Sequence, residues 1–305
     1  MFADDTCCLD SDDNLENLIC RVNAEINKIA IWFKANKMAT NTSKTKYIIF
    51  RAKNKQINLN NINIVYNAND LNAIPNPDLI TPLERYHNNH ENKNCRQYKL
   101  LGVYLDEYLS LDFHVDNLCN KMTRSLYCIK QAKNNLSLHA LKSLYFALVH
   151  SHLTYCPIIL SCTNKTNINR ILKVQKKAIR IITNSRYNEH TAPLFFSLGI
   201  LPYDKIIEQS KLIFMHSVEY NYAPRTFLNT WRKNNERNTG HALRNEADYV
   251  LPFPRIEFFK KIPLYSLPAA WNAAGDIRFH QNRTTFKIAL KEQLLAEMET
   301  ETEIE

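Results

Sequence analysis

Glycine constrains this chain more than any other residue, because it occurs at only four of 305 positions. Average usage is about 7%, or roughly twenty glycines in a chain of this length. The four glycines, Gly102, Gly199, Gly240 and Gly275, are far apart. Loops that bind phosphate groups need closely spaced glycines, so that backbone N–H groups reach the ligand. Since neither GxGxxG nor GxxxxGK[ST] occurs, the chain is not a Rossmann dehydrogenase, a P-loop NTPase or a protein kinase.

Composition and cysteine usage favour a folded protein in a reducing compartment. Apolar residues make up 45% of the chain and charged residues 23%, a balance typical of globular proteins. The sequence has no signal peptide and no apolar run of about 18 residues, so we expect no membrane association. Its eight cysteines form no CxxC pair. We therefore expect reduced thiols and a cytoplasmic or nuclear location.

One group of possible metal ligands occurs in the middle of the chain. It consists of His150, His152, Cys156 and Cys162. This spacing fits no familiar zinc pattern. The segment has the pattern of an apolar helix that runs into a turn at Pro157, so we interpret these side chains as structural.

The distribution of charge indicates a polyanionic partner. Residues 117–188 contain no Asp or Glu but hold twelve of the 39 basic residues, while the remaining positions carry 27 basic and 30 acidic residues. A block of this size with one sign of charge is typical of nucleic-acid contact. Two alternatives are a merely solvated basic surface and a structural protein that contacts an acidic partner.

The N-terminal third combines short strands with one long helix. Residues 1–10 suggest two strand-like pieces around a turn, with Asp4 and Asp5 at its tip. Ser11 is the predicted cap of a helix that runs to about Lys37, with two aspartates in its first turn. The predicted apolar stripe of this helix consists of Leu15, Leu18, Ile19, Val22, Ile26, Ile29 and Phe33.

Further strands are predicted before residue 110. Residues 47–50 form an apolar run, and Ile62–Tyr66 alternates apolar with polar positions. Residues 68–96 are rich in Asn and Pro, which suggests an exposed loop or insertion. Tyr98–Leu105 is predicted as one more strand, interrupted by Gly102.

From Leu111 onward the pattern is helical, with apolar faces on three successive helices. On the third, Lys173, Lys176, Lys177 and Arg180 occur at i, i+3, i+4 and i+7, which predicts a continuous basic face. Two more helices are expected near 203–219 and 284–299. An irregular zone with four prolines separates them, and the Glu-rich end is predicted to be a fraying, solvated terminus.

The tetrapeptide Phe2-Ala3-Asp4-Asp5 is the strongest candidate for chemistry. Mg²⁺ prefers oxygen ligands and is commonly held by one or two carboxylates plus substrate phosphates. Two such ions, roughly 3.5–4 Å apart, stabilise the attacking and leaving oxygens in phosphoryl transfer. Taken alone, a pair of aspartates at a turn is more often just a turn.

Three short motifs occur in a fixed order along the chain, and the long predicted helix lies between the first and the second. Phe2–Asp5 is followed by Asn41-Thr42-Ser43-Lys44-Thr45 before a strand and by Lys99-Leu100-Leu101-Gly102-Val103-Tyr104-Leu105-Asp106. Helical segments then contain Ser151–Cys156 and Gln175–Ile182. This order resembles the second half of a reverse transcriptase from a non-LTR (LINE-type, jockey-like) retrotransposon.

The resemblance implies an α+β fold: a partial polymerase palm over 1–110, a basic, thumb-like helical domain over 111–190, and a helical C-terminal region with an acidic tail over 191–305. It implies that Asp4 and Asp5 bind Mg²⁺ or Mn²⁺, with Lys44 neutralising the departing pyrophosphate. The partners would be an RNA template, a DNA primer and deoxynucleoside triphosphates.

The implied nucleic-acid-binding residues lie in the third motif and on the basic helices. Gly102 would let the primer approach the backbone closely, although a simple bulge is the alternative. Phosphate contacts would come from Lys121, Arg124, Lys173, Lys176, Lys177 and Arg180.

The chain also departs from the family pattern. The family supplies a further essential Asp from a strand upstream of the FADD hairpin, whereas this sequence begins one residue before Phe2. Asp10, Asp12 and Asp13 belong to the next turn and helix, so they do not substitute. We therefore expect residues 1–305 alone to be inactive as an RNA-directed DNA polymerase. The alternative is a non-catalytic nucleic-acid-binding protein derived from such an element.

Overall fold

The computed structural model describes residues 6–58, 62–67, 80–85, 98–237 and 246–304. The chain divides into two units, Met1–Ser110 and Leu111–Glu305. Helices predominate, and the strands are short and paired in twos, so the fold is of mixed α and β type. Within the described ranges, no helix is both long enough and apolar enough to cross a membrane.

The smaller unit contains the long predicted helix, α1 (Leu15–Ala35). Its predicted apolar stripe lies on the half-buried side, and Ala30 is its one fully buried residue. The predicted cap at Ser11 is wrong. Asn14 is the cap, and its side chain accepts hydrogen bonds from the N–H groups of Glu16 and Asn17.

Two strand predictions before residue 51 differ from the structure: residues 6–10 and 48–50 form no strand, while the part of the predicted 1–10 hairpin before residue 6 lies outside the described residues. Residues 6–10 are irregular and mostly exposed, and Asp10 pairs with Arg21 of α1 instead. The run at 47–50 contributes only to β1 (Lys46–Tyr47). The apolar residues 48–50 that follow β1 therefore pair with no strand in the described part of the chain.

The predicted loop at 68–96 contains two strands, which is a correction. β2 (Val65–Asn67) pairs antiparallel with β3 (Ile80–Pro82), and β1 pairs parallel with β4 (Glu84–Arg85). Between β3 and β4, Leu83 is buried, and its N–H donates to the carbonyl of Ile64 at 2.8 Å. This hydrogen bond holds the residues between β3 and β4 beside Ile64, the residue before β2. The other residues of 68–96 lie outside the described part.

The predicted single strand at Tyr98–Leu105 is a hairpin of β5 (Tyr98–Leu100) and β6 (Val103–Leu105). Leu101 and Gly102, which form the turn, have φ angles of 44° and 88°. Two consecutive left-handed residues match the tight hairpin turn whose twist suits antiparallel strands. Glycine at the second position reduces the steric cost of that turn.

The larger unit is mainly helical in its described residues. Its helices are α2 (Asp112–Ala132), α3 (Leu138–Tyr145), α4 (Ser151–Leu153), α5 (Pro157–Leu160), α6 (Lys165–Ile182), α7 (Ala192–Leu198), α8 (Tyr203–Glu219), α9 (Arg225–Leu228), α10 (Pro263–Ala273) and α11 (Arg283–Ile304). A π-helical turn, Phe146–His150, joins α3 to α4. The core contains large buried side chains from most of these helices, including Met122, Tyr145, Phe195, Trp271 and Phe286.

One prediction for the C-terminal region is wrong. The zone with four prolines contains α10, because Pro263 occupies the first turn, where a missing N–H costs nothing, and Leu267 and Trp271 are buried. The Glu-rich end is helical as far as Ile304. In contrast, the prediction near 203–219 matches α8 at both ends.

Candidate nucleic-acid interface

Helices α2 and α6 lie side by side and run in the same direction. At their first turns, Asn167 Nδ2 donates to Asp112 Oδ1 at 2.7 Å, and Arg170 pairs with Asp116 at 2.5 Å. At their far ends, Lys133 Nζ donates to Asn184 Oδ1 at 2.9 Å. Because start meets start and end meets end, the two helices are parallel.

The buried sides of both helices follow helical spacing. Val115, Met122 and Ile129 of α2 are fully buried, as are Ile171 and Ile179 of α6. Burial of one face leaves the other face in contact with solvent. The basic side chains therefore project outward from a pair of helices fixed by apolar packing.

Gln175 is a residue of this interface whose role the sequence did not reveal. It is fully buried in α6, and its Nε2 donates to Tyr145 Oη and to the carbonyl of Leu201, both at 2.9 Å. Burial raises the pKa of Tyr145. The local sequence did not indicate that Gln175 is buried, because its two hydrogen-bond partners lie about thirty residues before and after it.

The packing brings part of the predicted basic set to one surface. Helical geometry turns each residue about 100° from the one before. Lys173 and Lys177 follow Arg170 by three and seven residues, so they lie within about 60° of the Asp116–Arg170 pair. On α2, Arg124 and Lys130 lie within about 80° of that pair by the same geometry. The outer surface between the two helices, formed by Arg124, Tyr127, Lys130, Lys173 and Lys177, is called the seam surface here.

The cations of the seam surface have no acidic partner among the described residues. Arg124, Lys130, Lys173 and Lys177 are exposed. Within the ranges that the structure covers, their side chains form neither an ion pair nor a hydrogen bond. Asp112 and Asp116 lie at the N-terminal end of the pair, where Asp112 accepts a hydrogen bond from Asn167 and Asp116 neutralises Arg170. Positive potential is therefore concentrated along the remaining turns.

Three predicted phosphate ligands do not belong to the seam surface, two because of their position and Arg180 because its guanidinium has another partner. Lys121 is five residues from Asp116, about 140° round α2, and its charge contributes to lowering the pKa of His114 and His152, after the larger effect of burial. Lys176 is half-buried on the opposite flank of α6. Arg180 donates from Nε and Nη2 to the carbonyl of Glu189, at 3.0 and 2.8 Å, and so fastens the loop after α6.

The predicted catalytic residues belong to the smaller unit. Asp4 and Asp5 lie outside the described residues. Lys44 is exposed at the end of a turn, and its N–H donates to both the carbonyl and the side-chain oxygen of Asn41 at 3.1 and 3.2 Å. Thr45 Oγ1 also donates to the Asn41 carbonyl, at 2.9 Å. The Asn-x-x-Lys-Thr pattern thus has a conformational role, in which Asn41 organises the turn before β1.

Asp106, the acid that ends the third motif, also organises a turn. Its carboxylate accepts hydrogen bonds from the N–H groups of Tyr108 and Ser110, at 3.1 and 2.8 Å, and from the Ser110 hydroxyl. These bonds fix the chain between β6 and the end of the smaller unit. The motif therefore consists of a tight hairpin followed by a capped turn.

Glu107 is a second residue that the sequence did not single out. It is only 3% exposed and lies between two guanidinium groups, with Arg85 at 3.0 Å and Arg51 at 3.4 Å. A buried carboxylate needs such pairing. Its partners are 22 and 56 residues away in sequence, so local patterns carry no sign of the cluster.

Among the residues whose placement the structure gives, no group of three or more His, Cys, Asp or Glu side chains is suited to hold a metal ion. His150, from the candidate zinc group, packs against the rings of Tyr145 and Phe146, with centroids 6.1 and 5.0 Å apart. Burial lowers its pKa. These contacts give His150 a packing role.

The chain was compared with protein-family models, with curated proteins and with solved structures. None of the three comparisons gives a match.

Proposed function

We propose that this chain binds nucleic acid along the phosphate backbone, as the palm-to-thumb part of a reverse transcriptase of the non-LTR retrotransposon type. The observation that carries the proposal is the seam surface, where parallel packing of α2 and α6 collects exposed cations that have no acidic partner in the described ranges. Phosphate contacts need charge rather than base recognition. Such a surface suits an RNA–DNA hybrid of any sequence.

The polymerase assignment is supported by the order of the motifs in the sequence. Asn41 and Gly102 have conformational roles of their own, so their presence alone adds little to it. In the proposed enzyme, Asp4 and Asp5 hold Mg²⁺, and the RNA template and DNA primer lie against the helical unit. Each deoxynucleoside triphosphate would enter at the metal ions.

A non-catalytic nucleic-acid-binding protein is the second candidate. It is favoured by the location of the seam surface, which belongs wholly to Leu111–Glu305, whereas the candidate catalytic residues belong to the other unit. Primer extension with Mg²⁺ separates the two candidates. Incorporation that disappears in Asp4→Ala supports the polymerase, and binding without incorporation supports the binding protein.

The binding proposal is tested by reversing three charges of the seam surface. The variant Arg124→Glu/Lys173→Glu/Lys177→Glu removes exposed cations whose side chains form no hydrogen bond or ion pair with any residue that the structure describes, so the helices should stay folded. We expect its affinity for a labelled RNA–DNA hybrid to fall about 100-fold or more at low salt. Fluorescence anisotropy measures the affinity, and circular dichroism checks the fold.

The matched control reverses three exposed cations on another helix of the same unit. Arg283, Lys287 and Lys291 are spaced by four residues along α11 and are exposed. Arg283→Glu/Lys287→Glu/Lys291→Glu changes the net charge by the same amount. If both variants lose the same affinity, general positive charge explains binding, and the proposed surface is wrong.

A further inference from the structure

The seam surface contains an exposed aromatic ring among its cations. Tyr127 of α2 is 64% exposed, and its hydroxyl has no hydrogen-bond partner in the described part of the chain. Apolar ring area on a surface is normally reduced by packing. Here the ring is left open to solvent in the middle of a basic region.

Helical geometry places the ring beside α6. Tyr127 follows Asp116 by eleven residues, which is about three turns, so both side chains leave α2 in nearly the same direction, roughly 16 Å apart along the axis. Asp116 contacts Arg170 of α6. Because the helices are parallel, Tyr127 lies next to the turn of α6 that follows Lys177.

Cations flank the ring on both helices. Arg124 and Lys130 are three residues before and after Tyr127, and residues at this spacing are neighbours on a helix surface. Lys173 and Lys177 border it from α6. This arrangement suits a single strand of nucleic acid. The cations on either side would contact its phosphates, and the ring of Tyr127 would contact a base.

We propose that the seam surface binds single-stranded nucleic acid and that Tyr127 stacks on an unpaired base. The inference rests on the proposed function and adds a second ligand state, because the same cations contact the phosphates of a hybrid while Tyr127 contributes only to a single strand. The faces of bases within a duplex are already stacked on their neighbours, so only an unpaired base is free to meet a side-chain ring. Stacking of bases on aromatic side chains combined with a basic groove is the general chemistry of single-strand binding.

A second exposed ring lies at the end of the same helix pair. Tyr187, 82% exposed, belongs to the loop after α6, which Lys133 fastens through Asn184 and Arg180 fastens through the carbonyl of Glu189. The first contact comes from Lys133, the residue that follows α2, and the second from Arg180 of α6. Tyr187 is therefore a candidate for a second stacking contact along the bound strand.

The test compares two probes, a labelled 20-nucleotide oligo(dT) and a blunt RNA–DNA hybrid of the same length. Tyr127→Ala removes the ring, and Tyr127→Phe keeps it without the hydroxyl. Phe253→Ala is the matched control, because Phe253 is 93% exposed in the irregular segment before α10. Affinities are measured by fluorescence anisotropy over a range of salt concentrations.

We expect Tyr127→Ala to weaken oligo(dT) binding about 5- to 150-fold while binding of the blunt hybrid stays within about twofold. Tyr127→Phe and Phe253→Ala should bind like the unchanged chain, since both retain the seam ring. The salt dependence should stay the same in Tyr127→Ala, because no charge is removed. Combining it with Tyr187→Ala should weaken oligo(dT) binding further.

Unchanged oligo(dT) affinity in Tyr127→Ala would overturn the inference, as would an equal loss in Tyr127→Phe. If the triple charge reversal loses binding while Tyr127→Ala does not, the stacking inference fails and the proposed function stands. If neither variant changes binding, both the inference and the proposed function are wrong.

Discussion

His216 shows how a single buried side chain couples this protein to pH. It is fully buried in α8, its Nε2 lies 2.8 Å from the carbonyl of His280, and its ring stacks on Phe286 with centroids 4.2 Å apart. Its Nδ1 is buried without a hydrogen-bond partner among the described residues. Burial lowers the pKa of His216, and the charge of Arg283 acts in the same direction while Glu219 opposes it.

We therefore expect stability to fall on acidification. A histidine whose folded pKa is below its unfolded value of about 6.5 binds protons more readily when unfolded. Stability is therefore lost as the pH falls from the unfolded pKa towards the folded pKa. The free energy of unfolding should decrease from about pH 7.5 to about pH 5.5, measured by urea titration. The decrease should be smaller in His216→Gln than in the unchanged chain.

His139→Gln is the control, because His139 is exposed on α3. It should keep the full pH dependence. His114, His150 and His152, whose pKa values burial also lowers, account for the part that remains in His216→Gln. An identical pH dependence in His216→Gln and the unchanged chain would contradict the role of His216.

Sequence patterns predicted single residues well where their role is local. Helical spacing alone predicted that Lys173 and Lys177 lie on the outer face of their helix. Gln175 and Glu107 were missed because each depends on partners brought close by the fold. Arg180 followed the same periodicity as the lysines, yet its guanidinium binds a loop carbonyl, which spacing within one helix does not predict.

The β5–β6 hairpin offers a test between conformation and ligand contact. Leu101 and Gly102 both have left-handed φ values, and Asn tolerates this conformation while a β-branched residue does not. We expect Gly102→Asn to leave stability and hybrid affinity nearly unchanged. Gly102→Val should lower the free energy of unfolding by about 1 kcal/mol or more, as measured by urea titration.

A different outcome would restore the ligand role that the resemblance implies for Gly102. If close approach of a primer requires the absence of a side chain, Gly102→Asn loses hybrid affinity at unchanged stability. That result would show that the tight turn is not the sole reason for glycine here.

Whole helices were predictable where one apolar stripe continues without interruption. The spacing of apolar residues in α1, α2 and α6 gave the correct buried sides, and α8 ends where its pattern ends. α10 was missed because four prolines suggested an irregular segment. Pro263 only begins the helix, Pro268 alone lies in its interior, and burial of Trp271 stabilises it. The strands β3 and β4 were missed because pairing, rather than sequence, determines such short elements.

The two units differ in how much apolar surface they bury. In the described part of Met1–Ser110, the buried apolar side chains are Ala30, Ile64, Leu83 and Val103. The larger unit buries many more, from most of its helices. Since local stability follows buried apolar contact, the smaller unit should open more easily.

Hydrogen exchange measures this difference directly. We expect amides of α1 and the strand pairs to exchange much faster than amides in the centres of α2, α6 and α8. The exchange of both units in the same sample gives an internal control for pH and temperature. Equal protection in α1 and α6 would contradict the expectation and point to an additional contact that covers the smaller unit.

The central claim concerns the whole molecule: a surface made by packing two parallel helices binds a polyanion. Each phosphate contact releases counterions and adds about −0.9 for a B-form duplex, or about −0.7 for a single strand, to the slope of log K against log salt concentration. Contacts from Arg124, Lys130, Lys173 and Lys177 therefore predict a slope of about −3 to −4. The magnitude of this slope should decrease by about 2 to 3 in Arg124→Glu/Lys173→Glu/Lys177→Glu and stay the same in the α11 control. A slope near zero in the unchanged chain, or an equal slope in the seam variant, would contradict the account.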